Sequence, residues 1–238
     1  MANFLLVHGA FHGGWCWDRV KPLLEAKGHS VFTPDLPSHG EDKAWPEGVT
    51  LDDYVTRVGS VLQEVIGKTI LVGHSLGGVT ITQAGENYAE RISSLVYLTA
   101  ALPGNGQCRL DVLEGMEGSY LEDVRVISAD GKTMTILEDG IKPAFYGDCD
   151  DETVDWVMER LTPQSTEIQK TPVSTSPERW GAIPRAYILC TKDRAIPIKN
   201  QEYFCKNHAC DPVVTMNTSH SPFMSEPQAL ANHLHALV

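Results

Sequence analysis

The sequence predicts an α/β fold in which a mainly parallel sheet is flanked by helices and interrupted by an inserted cap. Short apolar runs that read as buried strands alternate with helix-length amphipathic segments up to about residue 103, the rhythm of a parallel sheet covered on both faces. That rhythm breaks where glycines, prolines and charges accumulate, and later resumes. The predicted division is therefore a first core part over 1–103, a cap over 104–180 and a second core part over 181–238. A chain of 238 residues buries about 70–75% of its unfolded surface, so such a core needs neither metal nor disulfide support.

Asn3–Val7 (NFLLV) is a short apolar run closed by His8-Gly9, and it reads as the first strand. From Trp15 to Lys27, Trp17, Val20, Leu23 and Leu24 recur at helical intervals before Gly28, which predicts one helix ended by glycine. His29–Gly40 reads as a strand running into a Pro- and Gly-rich loop. Thr50, with Asp53 three positions on, predicts an N-capped helix carrying Leu51, Tyr54, Val55, Val58, Val61 and Leu62. TILVG (69–73), a helix reaching about Glu90 and SLVYLTA (94–100) repeat the unit.

Inside the cap, VRVISADGKTMTIL predicts a β-hairpin about its Asp-Gly turn, and residues 151–161 predict a helix. AYILC (186–190) returns to the sheet, DPVVTMN (211–217) supplies its last strand and PQALANHLHALV closes the chain as a helix. Sheets of this kind carry their sites beyond the C-terminal strand ends. His8, Asp35, Ser75 and the residues after Thr99 and Cys190 are therefore expected along one edge.

Composition narrows the function. Thirty-one acidic against 19 basic residues give a net charge of −12, which repels phosphate backbones and anionic headgroups and argues against nucleic acid or a membrane as the main partner. The six cysteines form no Cys-x-x-Cys pair and read as free thiols of a reducing compartment. The N-terminal apolar run is too short for a signal peptide and lacks a basic lead, and no run of 18 apolar residues exists, so a cytoplasmic protein is expected. Neither His-Glu-x-x-His nor a Gly-rich phosphate loop occurs, and the expected chemistry needs no metal and no cofactor.

The strongest local signal is Gly73-His74-Ser75-Leu76-Gly77, a Gly-x-Ser-x-Gly pentapeptide between a predicted strand and a predicted helix. There a sharp turn lifts the serine hydroxyl clear, and the small flanking residues let strand and helix approach. This is the nucleophile turn of the α/β-hydrolase fold. The N–H of Leu76, at the helix start, is the first oxyanion donor expected; Ala10, in the loop after the first strand, supplies the second.

A serine needs a base. His220 fits because it follows the last strand, in the chain order Ser, acid, His that this fold uses. His208, in a helical run, and His233 and His235, in the last helix, fit less well. Asp193, just past AYILC, is the expected partner that fixes the His220 tautomer, with Asp35 as the alternative. His74 reads as a packed, hydrogen-bonded residue. His12, Phe145, Tyr146 and Trp156 are candidate substrate contacts.

Together FLLVHGAFHGGWCWDRV, VGHSLGG, LCTKDRAIP and SHSPFMSEPQAL resemble the methylesterase and hydroxynitrile lyase family of α/β hydrolases. The chain is similar to plant esterases acting on small methyl esters, and to bacterial relatives that cleave pyrethroid esters or a benzimidazole carbamate. The resemblance implies Ser75, Asp193 and His220 as triad, the amides of Ala10 and Leu76 as oxyanion hole, an apolar pocket under the cap and a possible homodimer. The lyases carry threonine where this chain has Ala10, and lysine where it has Ser221. Without a cation beside His220 to receive cyanide, hydrolysis is favoured. Where plant esterases have Asp-His followed by Met, this chain has Ser-His-Ser-Pro, which points away from plant hormone esters.

The expected function is serine-dependent hydrolysis of small, mostly uncharged carboxylic esters through an acyl-enzyme. The alternatives are a carbamate or amide hydrolase using the same triad, a carbon–carbon lyase, and a non-enzymatic small-molecule receptor.

Overall fold

The computed structural model describes residues 1–113 and 118–238. The chain begins with strand β1 (Asn3–Val7), then a 3-10 turn at Gly14–Trp17, helix α1 (Lys21–Glu25) and strand β2 (Ser30–Phe32). Helix α2 (Leu51–Glu64), β3 (Thr69–His74), α3 (Gly77–Asn87) and β4 (Ile92–Leu98) complete the first half of the sheet. An insertion follows, with α4 (Arg109–Leu113), α5 (Leu121–Val124), β5 (Arg125–Ile127), β6 (Thr133–Ile136), α6 (Glu138–Phe145), α7 (Asp151–Met158), β7 (Gln164–Ser165) and α8 (Glu167–Lys170). The chain re-enters the sheet as β8 (Arg185–Cys190), then α9 (Ile198–Asn207), β9 (Val213–Met216), α10 (Pro222–Ser225) and α11 (Pro227–Ala236).

Six strands pair in the order β2-β1-β3-β4-β8-β9, and every pairing is parallel. Alternation along each strand sends side chains to two separate cores. Phe4, Leu6, Ile70, Val72, Val96 and Leu98 pack on one face, and Leu5, Val7, Leu71, Leu95 and Tyr97 on the other. Such strands are buried on both sides, which is why they read as unbroken apolar runs.

The expected elements are present, with one revision. The run from Trp15 to Lys27 is split into the 3-10 turn and the five-residue α1, with Pro22 in the first turn of α1. Proline has no N–H to continue a helix from upstream but suits a first turn. The Thr50 cap is a full capping box: Thr50 Oγ1 accepts from Asp53 N–H at 3.3 Å and Asp53 Oδ2 accepts from Thr50 N–H at 2.9 Å. In the insertion β5 and β6 pair antiparallel about a turn with Gly131 at φ +73°, and β7 pairs with β6, giving a second, three-stranded sheet.

Candidate active site

Ser75 sits between β3 and α3 with φ +53°, left-handed backbone that a side chain rarely adopts. The turn is held where it must be. Ser75 N–H donates to the Leu98 carbonyl at 3.3 Å, and the Ser75 carbonyl accepts from Gly78 N–H and Ala101 N–H, both at 3.1 Å. A Cβ on Gly77 would lie 2.7 Å from the His8 carbonyl oxygen, so the residue after Leu76 has to be glycine for α3 to approach the end of β1. Leu76 opens α3, and its N–H is one of the donors a helix start leaves without an intrahelical partner.

His220 lies in the loop after β9 and is buried, as is Asp193 in the loop after β8. His220 Nδ1 donates to Asp193 Oδ2 at 2.6 Å. The same oxygen accepts from the Thr99 hydroxyl, while Oδ1 accepts from Ala195 N–H at 2.7 Å and Ile196 N–H at 2.9 Å. Four donors on one buried carboxylate fix its orientation. The two loops are laced together by Lys192 N–H to the Thr218 carbonyl, 2.9 Å. Asp35, the alternative acid, is engaged elsewhere. It accepts from Gly14 N–H at 2.6 Å and Glu41 N–H at 3.0 Å, and so anchors two loops.

Ser75 and His220 line one cavity of about 20 Å³, together with Ala10, Leu76, His12 and Phe145. The space holds little more than one water. Among the described residues no hydrogen bond joins Ser75 to His220, a contact that in hydrolases often tightens only around bound substrate.

The histidines of the strand-end edge are neutral braces. His8 donates from Nδ1 to the Gly9 carbonyl at 2.8 Å and accepts at Nε2 from Leu36 N–H at 3.1 Å; burial holds it down to about 4. His12 donates from Nδ1 to the Ala10 carbonyl at 2.6 Å and accepts from the Tyr146 hydroxyl, and burial holds it down to about 3. His74, as expected, is buried and bonded: its Nε2 donates to the His220 carbonyl at 2.9 Å, and burial keeps it well below the usual imidazole range.

Of the candidate substrate contacts, His12 and Phe145 line the cavity and two do not. Tyr146 is fully buried behind His12. Trp156 stands edge-on to Trp15, ring centroids 5.4 Å apart, with the Arg160 guanidinium 4.0 Å above it. Sequence reasoning passed over six residues. Thr99, just past β4, was readable as a strand-end position, and Phe11 as the neighbour of Ala10; Arg109, Leu121, Met134 and Gln169, which line the cavity from the insertion, carried no motif. No cation follows His220 in the chain, yet Arg109 brings one to the cavity from elsewhere.

No group of three metal-ligating side chains gathers among the described residues. Nor is any helix among them long and apolar enough to cross a membrane.

The sequence profile of the alpha/beta hydrolase family matches residues 4–233. The chain is 32% identical to methylesterase 1 of Arabidopsis thaliana over 247 residues, covering 97% of this chain and 94% of the relative. It is 32% identical to the pyrethroid hydrolase of Sphingobium wenxiniae over 244 residues, 97% of this chain and 85% of the relative. The crystal structure of polyneuridine aldehyde esterase superposes with a TM-score of 0.91 at 27% identity, covering 100% of this chain and 99% of that one. Likeness that runs through nearly the whole length, in sequence and in three dimensions alike, means that this chain belongs to the alpha/beta hydrolase family.

Proposed function

We propose that the protein is a serine-dependent hydrolase of small carboxylic esters, with Ser75, Asp193 and His220 as its triad. The observation that carries this reading is the buried His220–Asp193 hydrogen bond of 2.6 Å beside a cavity that Ser75 also lines. A carboxylate on Nδ1 leaves Nε2 as the proton acceptor, the tautomer a general base requires. The esterases among the relatives support the substrate class.

His220 takes the Ser75 proton as the oxygen attacks the ester carbonyl. The amides of Ala10 and Leu76 hold the resulting oxyanion, a contribution of about 3 kcal/mol for each such donor. Collapse expels the alcohol, protonated by His220, and leaves an acyl-enzyme. Water activated by the same histidine then releases the acid. His12 and Phe145 wall the pocket, with Tyr146 and Trp156 as supports behind them. Residues 104–180 act as the cap.

The six free thiols support a cytoplasmic setting. The net charge of −12 supports small molecules rather than nucleic acid or a membrane as partners. A homodimer follows from the family resemblance alone.

The test is pre-steady-state release of para-nitrophenol from its acetate ester by the wild type and Ser75→Ala side by side. A burst of about one equivalent per chain that vanishes in the variant is expected. A burst retained by the variant means that another residue is the nucleophile.

A further inference from the structure

Ester hydrolysis as drawn above uses no cation, yet the cavity contains one. Arg109, on α4, is only 6% exposed and lines the same cavity as Ser75 and His220. It is the only lysine or arginine among the described residues of that lining. Its Nη1 donates to Gln169 Oε1 at 2.9 Å, and the Gln169 amide nitrogen donates to Met134 Sδ at 2.6 Å. Gln169 and Met134 face the cavity too. The glutamine is thus held with its oxygen toward the guanidinium, which fixes the plane of the fork.

Compensation of the charge is incomplete among the described residues. Glu122 lies 3.8 Å from Arg109 Nη1 but only 2.7 Å from Arg125 Nη2, so one carboxylate stands between two guanidiniums. Burial pulls Arg109 down to about 10, which leaves it charged at neutral pH. A buried cation is costly until an anion meets it. In a chain of net charge −12 it is also a local reversal of sign.

We propose that Arg109, positioned by Gln169, docks a carboxylate of the substrate as the cavity of about 20 Å³ widens to admit it, so that the preferred ester is a hemi-ester with its carbonyl at Ser75 and its free acid at Arg109. A planar guanidinium meets a carboxylate with two parallel hydrogen bonds, which selects orientation as well as charge. The proposal rests on the serine esterase reading and deepens it. Hydrolysis of such a molecule, itself a monoanion, consumes one water and yields a dicarboxylate, an alcohol and one proton released to solvent.

The experiment compares monomethyl esters of succinic, glutaric and adipic acid with their amide isosteres, in which the free acid is a carboxamide of the same shape. For the best chain length the wild type is expected to favour the acid over the amide by about ten- to hundredfold in kcat/KM. Arg109→Gln brings that ratio toward unity, and Arg109→Lys restores part of it. A wild type without preference, or a ratio unchanged in Arg109→Gln, overturns the proposal. Should Arg109→Gln fail to fold, calorimetry on Ser75→Ala decides: tighter binding of the hemi-ester than of its amide is expected, and equal binding overturns the proposal. Turnover without preference sinks the Arg109 assignment and leaves the esterase reading standing. Preferential binding without turnover of any ester by the wild type does the reverse.

Discussion

The strand-end edge of the sheet and the insertion above it face the same cavity, but the chain reaches it in two different ways. On the edge, Ser75, His8 and Asp193 follow directly from buried parallel strands, and short-range backbone bonds fix each of them. The insertion has its own three-stranded sheet and short helices; Phe145, Tyr146, Val154 and Val157 join the buried cluster of Phe4 and Val72, and polar bonds add to that packing: Tyr120 N–H to the Arg194 carbonyl at 2.8 Å, Thr162 N–H to the Phe11 carbonyl at 2.9 Å, Gln164 Nε2 to the Tyr54 hydroxyl at 3.0 Å. On the first wall each position follows from the end of a sheet strand; on the second it follows from how residues far apart in the insertion come together. Under the proposed function the reacting groups Ser75, Asp193 and His220 lie on the first, and Arg109, the proposed selector of substrate, on the second.

The sharpest way to test that division is to strike the edge alone. Asp193→Asn keeps the shape of the side chain but favours the wrong His220 tautomer, and kcat is expected to fall by about ten-thousandfold while the acid-to-amide preference set by the insertion persists. Steady-state kinetics on both esters checks it. A loss of preference that matches the loss of rate erases the distinction between the walls.

A smaller effect is expected at the seam between the nucleophile turn and the oxyanion loop. A Cβ on Gly9 would lie 2.8 Å from Ser75 Cβ and 2.9 Å from His74 Nδ1, so Gly9→Ala pushes Ala10 away from the serine. A displacement of this kind costs on the order of a hundredfold in kcat/KM, and the far-ultraviolet dichroism stays native. Unchanged kinetics means that the oxyanion loop is less constrained than its neighbours imply.

The third prediction concerns acid. His8 and His12 stay neutral in the folded state down to about pH 4 and 3, whereas their unfolded counterparts take up protons near 6.5. The unfolded chain therefore binds more protons in that window, and stability falls as pH falls. Each histidine removes about 2 kcal/mol between pH 7.5 and 5, read as a lower urea midpoint at pH 5 than at pH 7.5. Both lie on the edge, beside the proposed triad. A midpoint independent of pH contradicts it.

The same contrast governs what was legible in the sequence. Ser75 was readable because strand, turn and helix are consecutive, and the Thr50–Asp53 capping box because its partners are three residues apart. Asp193 and His220 were readable because their positions at strand ends follow from topology. Arg109 and Gln169 were not, since 60 residues separate them and only the folding of the insertion brings both to the cavity. Tyr146 and Trp156 were chosen for their aromatic character, which suits a pocket wall and a packed interior equally. Neither lines the cavity beside Ser75, because His12 and Trp15 stand in front of them.

His74, the variable position of the serine pentapeptide, has a mechanical consequence. Its ring is bonded to the backbone of the base across 146 positions of sequence. The turn of Ser75 and the loop of His220, the proposed nucleophile and base, thereby share one splint. A shift of one loop against the other would have to stretch this bond, so it opposes the relative displacement of Ser75 and His220 on which the proposed proton transfer depends.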